Sequence, residues 1–177
     1  KRYEKKKIIY WFYFSFRFQF VIDYPETFNN ISYLCKLGAE PKKINDILSE
    51  VKESSLNAKA YVYSNCVRGD NGVIYIIFTK EELARIGMDA DEASSYINLI
   101  SNVKGYPIWA SFAEYETGEV RVELRSNDIP VQPYASKIGG GGHLYAAGAQ
   151  IANFSIFEVE RVVKELGEEI IKAKKVK

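Results

Sequence analysis

Four consecutive glycines, Gly139 to Gly142, stand directly before the only histidine of the chain, His143, and are followed by Leu144-Tyr145-Ala146-Ala147-Gly148. Glycine takes positive φ without steric cost and leaves its backbone N–H groups approachable, so the run can wrap a ligand. If it opens into a short helix at Leu144–Ala147, as the Ala146-Ala147 pair suggests, several N–H groups and a positive helix end converge on one place. Such a concavity favours phosphate or another anion. The competing reading is a flexible turn whose glycines serve only tight packing.

Upstream, Glu119–Ser126 alternates apolar and charged residues, which predicts a strand with Arg121, Glu123 and Arg125 on one face. Arg125 lies at the end of that strand, followed by Ser126 and Asn127. A guanidinium there can fork two phosphate oxygens, and the hydroxyl and amide add neutral hydrogen bonds. An arginine on a solvated strand face more often serves solubility, so the functional reading rests on its pairing with the glycine run.

Arg125-Ser126 followed by Gly139–His143 and Ala146-Ala147-Gly148 resembles the type 1 DHH-associated domain, the C-terminal substrate-binding domain of DHH-family phosphoesterases. The short-oligonucleotide exonucleases that also dephosphorylate 3′-phosphoadenosine 5′-phosphate, and the related cyclic-dinucleotide phosphodiesterases, are the most similar branches. The resemblance runs as an ordered set of features from Arg17 to Gly148 and is strongest over Val120–Ala149. It implies that Arg125, Ser126, Gly140, Gly141, Gly142 and His143 bind the phosphate and sugar of a nucleotide, short oligonucleotide or dinucleotide.

The same resemblance implies an upstream half with an Asp-His-His motif and two manganese ions that activate water. No Asp-His-His occurs here, the single histidine is already in the glycine motif, and Phe14 in Tyr13–Phe20 stands where the family has a metal-binding Asp. No catalytic residue, metal ligand or cofactor is therefore expected within this chain. The expectation is a truncated, hydrolase-related, nucleotide-binding or nucleic-acid-binding domain that works with a DHH half encoded upstream or on a separate chain. A non-enzymatic binding or regulatory module is the competing class, and a general nucleic-acid-binding domain a weaker third. A homodimer remains among the arrangements open to it.

A net charge of +1 argues against a long nucleic-acid footprint and leaves small anionic ligands compatible. Cys35 and Cys66 lack C-x-x-C spacing and read as reduced thiols of a cytoplasmic protein. Lys1–Lys7 before the apolar run Ile8–Phe16 imitates a signal peptide. A small-residue cleavage site is missing, and the run is shorter than the roughly 20 residues of a membrane span, so no membrane association is expected. Aromatic residues are dense over Tyr10–Phe20, a segment that needs a covering surface.

The organisation expected is an aromatic-rich remnant of the catalytic domain at 1–24, connecting helices and a linker at 25–56, and the nucleotide-binding domain at 57–177. Helices are expected after Pro25, ending at Gly38, and over Pro41–Val51, with Glu53–Asn57 as linker. Tyr61–Val67 and Val73–Phe78 flank the turn-rich Arg68–Gly72 and should pair antiparallel. The Arg68-Gly69-Asp70 tripeptide reads as hairpin chemistry rather than as an integrin ligand. Thr79 with Glu82, and Ser155 with Glu158, form capping boxes, and Asp89 caps a helix over Ala90–Val103. Tyr106–Ala113 and Glu119–Arg125 form a second hairpin, and Phe157, Val159, Val162, Val163, Leu166, Ile170 and Ile171 give the last helix its buried stripe. Tyr145 either stacks on a base or is buried beside Ala146. The fold class is α/β, a mixed sheet of about five strands flanked by helices.

Overall fold

The computed structural model describes residues 26–152 and 155–176. The aromatic-rich segment 1–24, with Phe14, lies outside the described residues. The chain separates into two units, residues 1–52 and 53–177. In the first, α1 (Glu26–Lys36) stops before Gly38, which has φ of +91°, and α2 (Pro41–Leu48) starts on its proline. A Lys42–Asp46 pair at 2.6 Å runs along α2 at i, i+4.

The second unit is a six-stranded sheet in the order β1-β2-β3-β4-β6-β5. Its elements, in chain order, are α3 (Glu53–Asn65), β1 (Val67–Arg68), β2 (Val73–Phe78), α4 (Lys80–Ile86), α5 (Ala90–Ser94), a 3-10 turn (Ser95–Ile100), β3 (Ile108–Glu114), β4 (Val120–Ser126), α6 (Gln132–Lys137), β5 (Gly141–His143), β6 (Ala146–Ile151) and α7 (Ile156–Val176). β2 and β3 run parallel, which requires the helical crossover of α4, α5 and the 3-10 turn between them; every other pairing is antiparallel. β1, only two residues long, is what remains of the strand expected at Tyr61–Val67, and it pairs antiparallel with β2.

Residue types explain the placement. β3 is buried along its whole length, as befits a central strand, whereas β4 alternates buried and half-buried residues. Val120, Val122 and Leu124 face α7, joining Phe112, Val162 and Leu166 in one core. On the opposite face Ile74, Ile76 and Phe78 pack with Ala58, Val62, Ile86 and Ile97 of the helical layer in a second core. Thr79 caps α4 by accepting from the Glu82 N–H, Gly87 closes it with φ of +74°, and Asp89 caps α5 through the Glu92 N–H. The Ser155 hydroxyl caps α7 by accepting from the Glu158 N–H at 3.2 Å. No described helix is long and apolar enough to cross a membrane.

Four expectations need correction. Glu53–Asn57 is not a linker but the opening of α3, and Tyr61–Asn65 continues that helix instead of forming a strand. Ala58 and Val62, one turn apart, are fully buried, the Tyr61 hydroxyl donates to the Ile77 carbonyl at 2.9 Å, and its ring lies 5.4 Å from Phe78. Packing on one helical face thus outweighs the β-preference of Tyr61–Tyr63. The helix expected over Ala90–Val103 leaves α-geometry at Ser94, where the Ser94 and Ser95 hydroxyls bond back to the Ala90 and Glu92 carbonyls. On α7, Phe157 and Ile171 are 77% and 55% exposed. The stripe toward the sheet is Val159, Val162, Val163, Leu166 and Ile170, and Ile171 sits about 100° around the helix from Ile170.

Candidate functional site

Strand register arranges side chains in rows across the sheet. One row reads Ile74, Trp109, Arg125, Ala146, His143; the next reads Ile76, Ser111, Glu123, Gly148, Gly141. Because cross-strand partners share a face, all of these lie on the α3–α5 side of the sheet. The helical layer covers the β2 and β3 ends of the rows, and the β4, β6 and β5 ends are polar or small. Ala146, Gly148 and Gly141 form a floor, with Arg125 and Glu123 along one side and the exposed His143 on the other. Arg125 and His143 are two strands apart, roughly 10 Å at ordinary strand spacing.

Arg125 is held in place on this floor. Its Nη1 donates to the Leu124 carbonyl at 2.9 Å and the Ala147 carbonyl at 3.3 Å, and its Nη2 forms an ion pair with Glu123 Oε2 at 2.9 Å. Arg121 grips the other oxygen, with Nε at 3.0 Å and Nη2 at 2.8 Å from Glu123 Oε1. Arg121 Nη1 reaches Asp91 on α5 at 2.7 Å, and the Tyr115 hydroxyl donates to the same Asp91 oxygen at 2.6 Å. The Tyr115 hydrogen bond first, and then the Arg121 charge, hold the Asp91 carboxyl below the usual carboxylate range. A chain of charges therefore ties the helical layer to Arg125.

The glycine run folds differently from the expectation. It does not open a helix at Leu144–Ala147; those residues form the turn of a β5–β6 hairpin and the first two residues of β6. It closes one instead, since Gly139 has φ of +85° and the Gly140 N–H bonds to the Ala135 carbonyl at 2.8 Å, a Schellman ending for α6. The helix pole nearest the glycines is thus the negative one, and the N–H groups of Gly139 and Gly140 are occupied by α6 carbonyls. The cationic group on this surface is Arg125, and no helix start adds to it.

Each glycine has its own reason. A Cβ on Gly140 would stand 2.0 Å from the Gly148 carbonyl oxygen, one on Gly142 2.7 Å from that of Ala146, and one on Gly148 2.7 Å from that of Val122. Those three let the strands approach. Gly141 differs, with ordinary φ and nothing within 4 Å of its absent Cβ. The fold does not require glycine there, and the space above it is open.

Arg125, Gly141 and His143 therefore come together, and Gly140 and Gly142 build the hairpin that carries them. Ser126 does not join: it pairs with Ile108 on the α7 side, is buried, and donates its hydroxyl to the Ile129 carbonyl. One residue along a strand reverses the face, which the dipeptide Arg125-Ser126 already implied. Tyr145 is 41% exposed at the hairpin tip rather than buried. Glu123 and Arg121 were visible in the alternation of β4, but Asp91 and Tyr115 carry no local signal, because their partners are distant in sequence. Among the described residues no group of three or more His, Cys, Asp or Glu side chains is placed to hold a metal ion. The manganese implied by the resemblance thus finds no donor set among them. A separate groove between α3 and α4 is lined by Asn57, Tyr61, Asn65 and Arg85. It is remote in sequence from the glycine motif and shares no residue with this site.

Comparison with known proteins places this surface in context. The DHHA1 domain family matches residues 69–173. A bifunctional oligoribonuclease and PAP phosphatase NrnA from Mycoplasma genitalium is 42% identical over 120 residues, 68% of this chain and 37% of that protein. The Bacillus subtilis protein of the same name is 29% identical over 143 residues, 79% of this chain and 45% of its own length. An exopolyphosphatase-related protein of known structure from Bacteroides fragilis superposes with a TM-score of 0.74 at 25% identity, covering 92% of this chain and 47% of that one. The chain spans less than half the length of each of these relatives.

Proposed function

Because this chain belongs to the DHHA1 domain family, as a domain of a DHH-type phosphoesterase, we propose that it holds a nucleotide or short oligonucleotide for hydrolysis by a DHH catalytic half. Arg125 binds the phosphate, Gly141, Ala146 and Gly148 give a flat floor for sugar or base, and His143 closes the far side with a ring nitrogen donor. One observation carries the reading. Gly141 is bare although neither its backbone angle nor its packing demands it, and it lies on the same face as Arg125 and His143. The names of the relatives, an oligoribonuclease and PAP phosphatase, support a ligand with both phosphate and nucleoside parts.

Hydrolysis then belongs to residues other than those of the site described. The test is titration of the chain with adenosine 5′-monophosphate, 3′-phosphoadenosine 5′-phosphate and the dinucleotide pApA, followed by a manganese-dependent hydrolysis assay on the same preparation. Binding without turnover, weakened in Arg125→Ala, is the expected result. Equal binding by parent and Arg125→Ala at low salt removes this surface from the function.

A further inference from the structure

The carboxylate of Glu123 lies within the proposed floor, not beside it. A Cβ placed on Gly148 would be 3.5 Å from both its Cδ and Oε1, so the carboxylate rests over the bare glycine of the neighbouring strand. An ionised carboxylate offers about four acceptor positions and no donor. Both hydrogen bonds it receives fall on Oε1, from Arg121 Nε and Nη2. Among the described residues Oε2 has only the ion-pair contact with Arg125 Nη2. The Ser111 hydroxyl, on the residue directly opposite Glu123 in β3, is buried without a hydrogen-bond partner and does not fill the position. Oε2 therefore keeps acceptor capacity immediately next to the cation assigned to phosphate. At 14% exposure the Glu123 side chain is open enough to be reached and closed enough for the contact to matter.

A bare phosphate is a poor match for this pair, since it brings only acceptors and negative charge to a carboxylate. The complementary ligand places a neutral O–H donor next to its anion. Ribose does so, because the 2′-hydroxyl of a ribonucleotide neighbours the 3′-phosphate, and deoxyribose does not. We propose that Glu123 is a specificity-determining residue that accepts a hydrogen bond from a sugar hydroxyl and so selects ribonucleotides over deoxyribonucleotides at the Arg125 site. Arg121 makes this feasible. Its two hydrogen bonds keep the carboxylate charge-paired even when the Arg125 guanidinium turns toward a phosphate. The inference rests on the nucleotide-holding reading above and adds which sugar that site reads.

The test is a ratio of affinities, which cancels the general effect of removing a negative charge near phosphate. Dissociation constants are measured for the full 177-residue chain with pApA and with its all-deoxy counterpart, which carry the same phosphates. The parent should favour the ribose form about tenfold, the order expected of a hydrogen bond to a charged acceptor. Glu123→Ala should bring the two affinities within about twofold whatever happens to the absolute values, and Glu123→Gln, which keeps a neutral acceptor of the same shape, should fall between. If Glu123→Ala does not fold, the Gln variant decides alone. A parent ratio near one, or a ratio that survives in the variants, overturns the assignment of Glu123 while leaving nucleotide binding intact. A parent that binds neither dinucleotide removes the underlying reading, and this inference with it.

Discussion

One face of the sheet serves two purposes. Over β2 and β3 it is apolar, with Ile74, Ile76 and Phe78 sealed beneath α3, α4, α5 and the 3-10 turn. Over β4, β6 and β5 the same face presents Arg125, Glu123, Gly148, Gly141 and His143, charged, bare or exposed residues in place of the apolar ones. Side-chain chemistry decides where the helical layer stops, because burying Arg121, Glu123 and Arg125 beneath helices would cost more than their pairing returns. The covered half supplies stability. The polar half carries the proposed site, and Asp91 on α5 links the two through Arg121.

If the division is real, substitutions in the two halves should separate stability from binding. The largest effect belongs to the covered half: Phe78→Ala should lower unfolding free energy by about 3–5 kcal/mol in a denaturant titration. A loss below about 1 kcal/mol would show that the second core is not packed as described. Next come the neighbouring glycines. Gly140→Ala forces a Cβ against the Gly148 carbonyl and should destabilise by about 1–3 kcal/mol. Gly141→Val should leave the melting temperature unchanged or raised, since valine suits a strand, and should collapse nucleotide binding. Equal binding by a folded Gly141→Val protein would reduce the motif to a hairpin. Arg125→Ala should then weaken nucleotide binding by about 1–3 kcal/mol in calorimetry, with little change in melting.

The smallest effect concerns the link between the halves. The Asp91 carboxyl is held below its usual value by Tyr115 first and Arg121 second. A depressed folded pKa contributes stability above the unfolded value and loses it as pH falls through the folded one. The Tyr115–Asp91–Arg121 contact should therefore persist at neutral pH and release only in acid, below the ordinary carboxylate range. Carboxyl NMR titration of Asp91 reads this directly, and a midpoint at or above the ordinary aspartate value would contradict the brace. Asp91→Asn should remove the acid-side transition while leaving the melting temperature at neutral pH almost unchanged.

Much of the architecture was legible because short-range rules govern it. The capping pairs Thr79/Glu82 and Ser155/Glu158, the alternation of β4 and the stop of α1 before Gly38 each depend on residues within a turn of one another. Arg125 stood out as a candidate at the end of that alternating strand, and His143 beside the glycine run. Two things were not. Tyr61–Asn65 became helix because Val62 and Ala58 meet Ile74, Ile76 and Phe78, residues that no local window contains. The glycines closed α6 instead of opening a helix because β6 was available to pair with β5.

By itself the sequence determined the alternation of β4 and the capped starts of α4, α5 and α7, since capping and period-two alternation act between near neighbours in the chain. Only the tertiary structure decided that Glu123 rests over Gly148, that Ser126 turns away to Ile129, and that Asp91 reaches Arg121. These relations depend on strand order and register. They arise when segments far apart in sequence are brought side by side by burying their apolar faces, and that interaction fixes no address along the chain.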